Sequence, residues 1–296
     1  MEIRKTGKIY KVDDTGHLVC NQEKSNIQEK WNNPLNDIVE KYKDFFKDNI
    51  HSIYVRGSVA TGEACDYTSD IDLIILFDEY WNQSMDYYFK QFNLSLNKDI
   101  MLTYPFVQKI DFGFDPGTCY KSLLDKNENM SFLDTMFLIK HHSVCIYGEN
   151  IQEKIPRFKM DLIPRTYYDL EKIINRLKNS LFQPNLNTDQ IQGMSGWISK
   201  KIVRCGYELI MDDLDIYTRD LYQCWKLFSK SYPDKRNDMK FALKNAIWPT
   251  DDKNDLFEVF NKIGDWLTEE IKNKLPNDSF NVQSLRKVQN ELYKLR

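Results

Sequence analysis

Apolar residues in the first half of the chain switch between helical and extended spacing. From Ile27 to Phe46 they recur at three- and four-residue steps, which predicts an amphipathic helix. A second helix is predicted over Ser131–His142. Shorter apolar segments predict a hairpin over residues 8–20, with Gly16 in its turn, and strands over Ser52–Arg56, Asp70–Phe77, Asp99–Thr103, Val107–Phe114 and Val144–Gly148. This alternation favours a small mixed β-sheet with flanking helices.

Beyond about Pro156 the strand signals end and long helical periods take over. Helices are predicted over Tyr167–Leu181, Gly193–Met211, Thr218–Phe228, Asp238–Ala246, Asp255–Lys272 and Ser284–Leu295. Prolines, which cannot continue a helix, separate several of them. The expected fold class is therefore α+β, with a sheet domain over residues 1–155 and an α-helical bundle domain over residues 156–296.

Charge and cysteine usage narrow the class of protein. A formal net charge of −3 argues against nucleic acid as a partner, because nonspecific binding to phosphates needs a surplus of Lys and Arg. The six cysteines show no C-x-x-C spacing, which favours reduced, structural thiols. The longest apolar stretch, Ile71–Phe77, is too short to span a bilayer, and the N-terminus lacks the apolar core of a signal peptide. We expect a cytoplasmic protein without a membrane partner.

Two carboxylates stand at the start of a predicted strand. Asp70 and Asp72 are two residues apart, so on an extended segment both side chains point to the same face. Two like charges this close are unfavourable unless a cation lies between them. Hard oxygen ligands favour Mg²⁺, with Mn²⁺ also possible, and such ions usually complete their shell with water and substrate phosphates. The pair therefore predicts a metal site that also binds a nucleoside triphosphate.

A Gly-Ser turn precedes this pair. Gly57 follows the predicted strand Ser52–Arg56 and allows the backbone to turn sharply and approach a ligand, while Ser58 offers a hydroxyl and an amide. A helix beginning here would add free N–H groups that bind anions. The turn lacks the GxxxxGK[ST] arrangement, which argues against a P-loop nucleotide hydrolase.

Together, the Gly57-Ser58 pair, Gly62 and the sequence Ser69-Asp70-Ile71-Asp72 resemble the signature of the polymerase-β-type nucleotidyltransferase superfamily. The resemblance implies that Gly57, Ser58 and Ser69 contact the nucleotide. It also implies a third carboxylate on a neighbouring strand, which completes a site for two metal ions. We assign this role to Asp111, on the predicted strand Val107–Phe114, where it would ligate a metal or take the proton from the acceptor hydroxyl. Asp99 and Asp115 are the alternatives.

The helical half, residues 156–296, resembles the substrate-side domains attached to bacterial antibiotic-modifying (aminoglycoside-type) nucleotidyltransferases and the helical C-terminal domain of minimal nucleotidyltransferases. Within it, Lys200 and Arg204 share one face of a predicted helix, and Lys201, Arg204 and Arg219 are candidates to bind the triphosphate.

The resemblance implies a nucleotidyltransferase, most simply one that transfers AMP from ATP to a hydroxyl of a small molecule such as an aminoglycoside-like antibiotic, releasing pyrophosphate. One alternative is AMP transfer to a protein, as in toxin–antitoxin systems. Another is a catalytically silent nucleotide-binding module, against which the retained Ser58, Asp70 and Asp72 argue.

Overall fold

The computed structural model describes residues 3–5, 7–78, 83–112, 130–182 and 186–274 of the 296-residue chain. These residues form two compact units. One unit is Cys20–Phe158, and the other joins the N-terminal residues up to Val19 to the segment from Lys159 to Lys274. The two domains expected from the sequence, 1–155 and 156–296, stay a prediction.

Strands and helices are numbered in chain order over the described residues. The strands are β1 (Tyr10–Lys11), β2 (Ile50–Arg56), β3 (Ile71–Phe77), β4 (Ile110–Phe112), β5 (Ser143–Gly148) and β6 (Ile216–Tyr217). The helices are α1 (Asn32–Phe46), α2 (Gly57–Thr61), α3 (Gln83–Thr103), α4 (Met130–His142), α5 (Leu170–Leu181), α6 (Thr188–Glu208), α7 (Leu221–Ser231), α8 (Arg236–Ile247), α9 (Lys253–Val259) and α10 (Asp265–Lys274).

The unit Cys20–Phe158 contains a four-stranded sheet in the order β4-β3-β2-β5. Strand β2 is antiparallel to both β3 and β5, whereas β3 and β4 are parallel. The mixed sheet and the α+β class predicted from the sequence are thereby confirmed. Because β3 is buried along its length except at Asp72, which is half-buried, a single polar position stands out in an otherwise apolar strand.

Helix α1 packs into the core of this unit through one stripe of residues. The stripe consists of Leu35, Ile38, Val39, Tyr42 and Phe46. The α-helix begins at Asn32 rather than at Ile27 as predicted, and the preceding residues form short 3₁₀ turns. Pro34 explains the later start, since proline is tolerated only in the first turn of a helix.

The strand predicted over Asp99–Thr103 is wrong, because these residues form the last turn of α3. Phe89, Leu96 and Ile100 lie in the core at helical spacing, while Met101 and Leu102 are exposed. The apolar run at the end of α3 is therefore the end of a helix rather than a buried strand. Strand β4 is also shorter than predicted, and residues 113 and 114 lie outside the described part of the chain.

The other unit combines an N-terminal hairpin with helices α5 to α10. The hairpin is confirmed: Val12 bridges Leu18, and Gly16 takes a φ of +79° in the turn. Strand β1 pairs with β6, which ties the first residues of the chain to the helices. A π-helical segment, Phe260–Gly264, joins α9 to α10.

The helices predicted between residues 167 and 272 are all present with shifted ends, whereas the helix predicted over Ser284–Leu295 lies outside the described residues. Among the described helices, none combines the length and apolarity needed to cross a bilayer.

Candidate active site

The register of the sheet brings three charged residues into one row. Arg56 on β2 is opposite Asp72 on β3, and Asp72 is opposite Asp111 on β4. Laterally paired residues point to the same face of a sheet, and Asp70, two residues before Asp72, joins them there. One oxygen atom from each of Asp70, Asp72 and Asp111 lies within 4.8 Å of the others. All three carboxylates are half-buried, and the donor set is one that a divalent cation prefers.

Backbone hydrogen bonds fix the loop that carries Asp70 against the segment that carries Asp111. The amide of Ile71 donates to the carbonyl of Lys109 over 2.9 Å, and the amide of Gln108 donates to the carbonyl of Ser69 over 3.2 Å. The residues at the start of β3 are thus paired with the residues that lead into β4. The carboxylates are held by backbone geometry rather than by side-chain contacts alone.

Two cations lie among the carboxylates, and sequence reasoning did not single out either. One terminal guanidinium nitrogen of Arg56 is 3.0 Å from Asp72 Oδ1. The Nζ atom of Lys109 is 3.7 Å from Asp70 Oδ2 and 3.8 Å from Asp111 Oδ2. Lys109 precedes Asp111 by two residues, so a strand prediction alone could have placed both on one face. Arg56 could be found only through the pairing of β2 with β3.

Gly57 is required by the close approach of Asp72. Its φ is +72°, and a Cβ atom at this position would lie 2.3 Å from Asp72 Oδ2. Glycine is therefore needed both for the left-handed backbone conformation and for the space beside the carboxylate. The helix expected after the turn is present as α2, a single short helix that contains Ser58, ends at Thr61 and is capped by Gly62.

Ser69 has a structural contact in this loop. Its hydroxyl oxygen accepts a hydrogen bond from the amide of Cys65 over 2.8 Å, which closes the turn immediately before Asp70. The contact shows how Ser69 supports the position of the acidic pair. The nucleotide contact expected for Ser69, like those of Gly57 and Ser58, stays a prediction.

The alternatives for the third carboxylate are separated by the structure. Asp99 lies on α3, where Lys41 Nζ is 3.1 Å from its Oδ2, and it does not belong to the cluster of carboxylates. Asp115 lies outside the described residues. Of the two that can be compared, Asp111 is the one beside Asp70 and Asp72.

The basic residues predicted to bind phosphate all lie in the unit that contains α5 to α10. Lys201 Nζ is 2.7 Å from Asp169 Oδ1 and 5.9 Å from the centre of the Tyr168 ring. Arg204 donates from Nε to the carbonyl of Arg219 over 3.4 Å. The structure thus brings Arg204 and Arg219 together, and the predicted role of all three cations in phosphate binding stays a prediction.

One family model and one solved structure are similar to parts of this chain. Residues 37–128 match the family model described as "Polymerase beta, Nucleotidyltransferase", a span that includes β2, α2, β3 and β4. No curated protein sequence matches the chain. The structure is similar to that of spectinomycin adenyltransferase AAD(9) from Enterococcus faecialis with ATP and spectinomycin. That match has 14% sequence identity and a TM-score of 0.45, and it covers 81% of this chain and 98% of that chain.

Proposed function

We propose that the chain is a nucleotidyltransferase of the polymerase-β type, the family whose model matches residues 37–128, and that it transfers AMP from ATP to a hydroxyl group of a small molecule. The proposed acceptor is a polyhydroxylated compound of the aminoglycoside-like antibiotic class, and the second product is pyrophosphate.

The cluster of Asp70, Asp72 and Asp111 is the observation that carries this proposal. Three carboxylates on one sheet face, with oxygens within 4.8 Å of one another, form a donor set suited to Mg²⁺ or Mn²⁺. When bound, such an ion supplies Lewis-acid polarisation of phosphoryl oxygens. Asp70, Asp72 and Asp111 therefore fit the divalent ion that the proposed transfer needs.

The transfer needs a proton acceptor beside the attacking hydroxyl. In the proposed reaction the acceptor oxygen forms a bond to the α-phosphorus, and the bond between the α-phosphorus and the α–β bridging oxygen breaks. Its electron pair leaves with pyrophosphate, while the hydroxyl proton passes to a carboxylate. Asp111 is the candidate for that carboxylate, since it lies at the edge of the cluster on β4 and is about half exposed.

Gly57 and Ser58 are proposed to contact the triphosphate. At Gly57 the space that a side chain would fill holds Asp72 Oδ2, so the turn lies directly beside this carboxylate, and Ser58 follows with a hydroxyl donor. Ser69 is proposed to contribute through the loop that it closes. Lys201, Arg204 and Arg219 are proposed to offset charge on the triphosphate, because its oxygens gain negative charge as pyrophosphate leaves.

The test is product analysis by mass spectrometry after incubation with ATP, MgCl₂ and a panel of hydroxylated antibiotics. We expect an acceptor whose mass rises by one AMP group, with pyrophosphate released in equal amount. Asp72→Asn should abolish both products while the circular dichroism spectrum stays unchanged, because the substitution removes charge but keeps size.

AMP found on protein and on no small molecule would overturn the proposed acceptor and favour a protein-modifying enzyme. Near-native transfer by Asp72→Asn would overturn the assignment of the site.

A further inference from the structure

Lys109 holds an unusual position for a cation in a cluster of carboxylates. Its Nζ is nearly equidistant from Asp70 Oδ2 and Asp111 Oδ2, at 3.7 Å and 3.8 Å. Asp70 immediately precedes β3, Asp111 lies on β4, and both belong to the cluster that would hold a metal ion. An ammonium group so placed neutralises part of the same charge that a divalent cation would neutralise.

Arg56 and Lys109 differ in how firmly they are held. The Arg56 side chain is 22% exposed and contacts Asp72 directly at 3.0 Å, next to Gly57. The Lys109 side chain is 49% exposed, and both of its contacts are at the outer limit of an ion pair. A half-exposed lysine with two long contacts can move into solvent at little cost, whereas Arg56 would give up a short, direct contact and expose a less accessible side chain. Lys109 is therefore the cation that can leave.

We propose that Lys109 is a built-in counter-ion of the catalytic site, which bridges Asp70 and Asp111 until a divalent cation displaces it. This inference rests on the proposed function, because it takes the three carboxylates as the metal site. It assigns to Lys109 a positioning role: the ammonium keeps Asp70 and Asp111 together while no metal is bound, and it competes with the metal for them. Arg56 stays paired with Asp72 throughout.

The proposal has two linked consequences. Removal of the positive charge at residue 109 should strengthen metal binding, because the ion no longer has to displace an ammonium group. The same removal should destabilise the fold in the absence of metal, because Asp70 and Asp111 then repel each other without the ammonium group between them. Saturating metal should abolish that loss of stability, since Lys109 is already displaced in the parent protein with metal bound.

The experiment uses the full chain and Mn²⁺ alone, without nucleotide. Free Mn²⁺ is measured by electron paramagnetic resonance during titration of the parent and of Lys109→Met. Since a half-exposed ion pair is weak, we expect the Kd for Mn²⁺ to fall by about threefold or more in Lys109→Met. Thermal melting in EDTA should show a lower Tm for Lys109→Met than for the parent, and the difference should close in saturating Mn²⁺.

Two control variants separate this role from a general effect of charge. Lys109→Arg keeps the cation and should bind Mn²⁺ like the parent. Lys41→Met removes a lysine of similar exposure that pairs with Asp99 outside the cluster, so its Kd for Mn²⁺ should not change. Any loss of Tm in Lys41→Met should be the same in EDTA and in Mn²⁺.

Equal or weaker Mn²⁺ binding by Lys109→Met would overturn the proposal. So would equally tight binding by Lys109→Met and Lys41→Met. Failure of the parent and of Lys109→Met alike to bind Mn²⁺ is a different result, which would overturn the metal site in the proposed function itself.

Discussion

The contact between Gly57 and Asp72 can be tested by adding one methyl group. Gly57→Ala places a Cβ where the structure has Asp72 Oδ2 at 2.3 Å, so the carboxylate must move. It also places a side chain at a φ of +72°, which L-residues rarely adopt. Both effects destabilise the fold, and only the first disturbs the cluster of carboxylates.

The two contributions can be separated in magnitude. The left-handed conformation costs an alanine about 1–2 kcal/mol. Displacement of Asp72 adds about 1–2 kcal/mol, from a strained rotamer and the weakened pair with Arg56. Gly16→Ala provides the matched control, because Gly16 has a φ of +79° with nothing within 4 Å of the added Cβ. It should show the backbone cost alone.

A double-mutant cycle with Asp72→Ala tests whether the clash with Asp72 causes the extra loss of stability in Gly57→Ala. The Asp72 Cβ would lie 3.6 Å from the new methyl group, an ordinary contact, so Asp72→Ala removes the clash and leaves the backbone cost. Urea denaturation of the four proteins should give a coupling energy of about 1–2 kcal/mol, with the double mutant more stable than additivity predicts. Additivity within about 0.5 kcal/mol would refute the reasoning.

Other parts of the molecule give three further expectations. Asp111→Asn should lower kcat for pyrophosphate release by about a hundredfold or more, and near-parent turnover would remove it from the site. Arg204→Ala and Arg219→Ala should each lower kcat/KM for ATP about tenfold, or about 1.4 kcal/mol, and values within twofold of the parent would contradict phosphate binding. Burial raises the pKa of the Cys205 and Cys224 thiols. Iodoacetamide near neutral pH should therefore modify neither thiol in the folded protein, and peptide mapping that finds native labelling would contradict their burial.

The sequence predicts those parts of the candidate site that depend only on residues close together in the chain. Gly57 follows β2, Asp70 precedes β3 and Asp72 lies within β3, and both strands have clear apolar runs, so the order and spacing of these residues define a turn and an acidic edge. Asp111 was assigned as the third carboxylate because it lies on a predicted strand. Its distance from Asp72 could not be predicted, because a three-residue strand carries too little pattern to define its partner or its register.

Long-range pairing explains what the sequence did not reveal. Strand β1 pairs with β6, which lies about 200 residues later in the chain, and no local sequence pattern predicts this contact. Helix α3 was missed because its buried residues Phe89, Leu96 and Ile100 are separated by polar and exposed apolar positions. The run Ile100-Met101-Leu102 was more conspicuous than the helical stripe, although only its first residue is buried.

The two neighbouring carboxylates Asp70 and Asp72 need a cation, but that cation is not necessarily a metal ion. Arg56 and Lys109 are cations that the chain itself supplies, so Asp70 and Asp72 alone would not require a metal ion. Asp111 changes this balance, because among the residues that the structure describes three carboxylates then face two cations, Arg56 and Lys109. The remaining negative charge, together with the mobility of the more exposed cation, favours an added divalent ion. The third carboxylate, rather than the conspicuous pair, is therefore the stronger physical argument for a metal site.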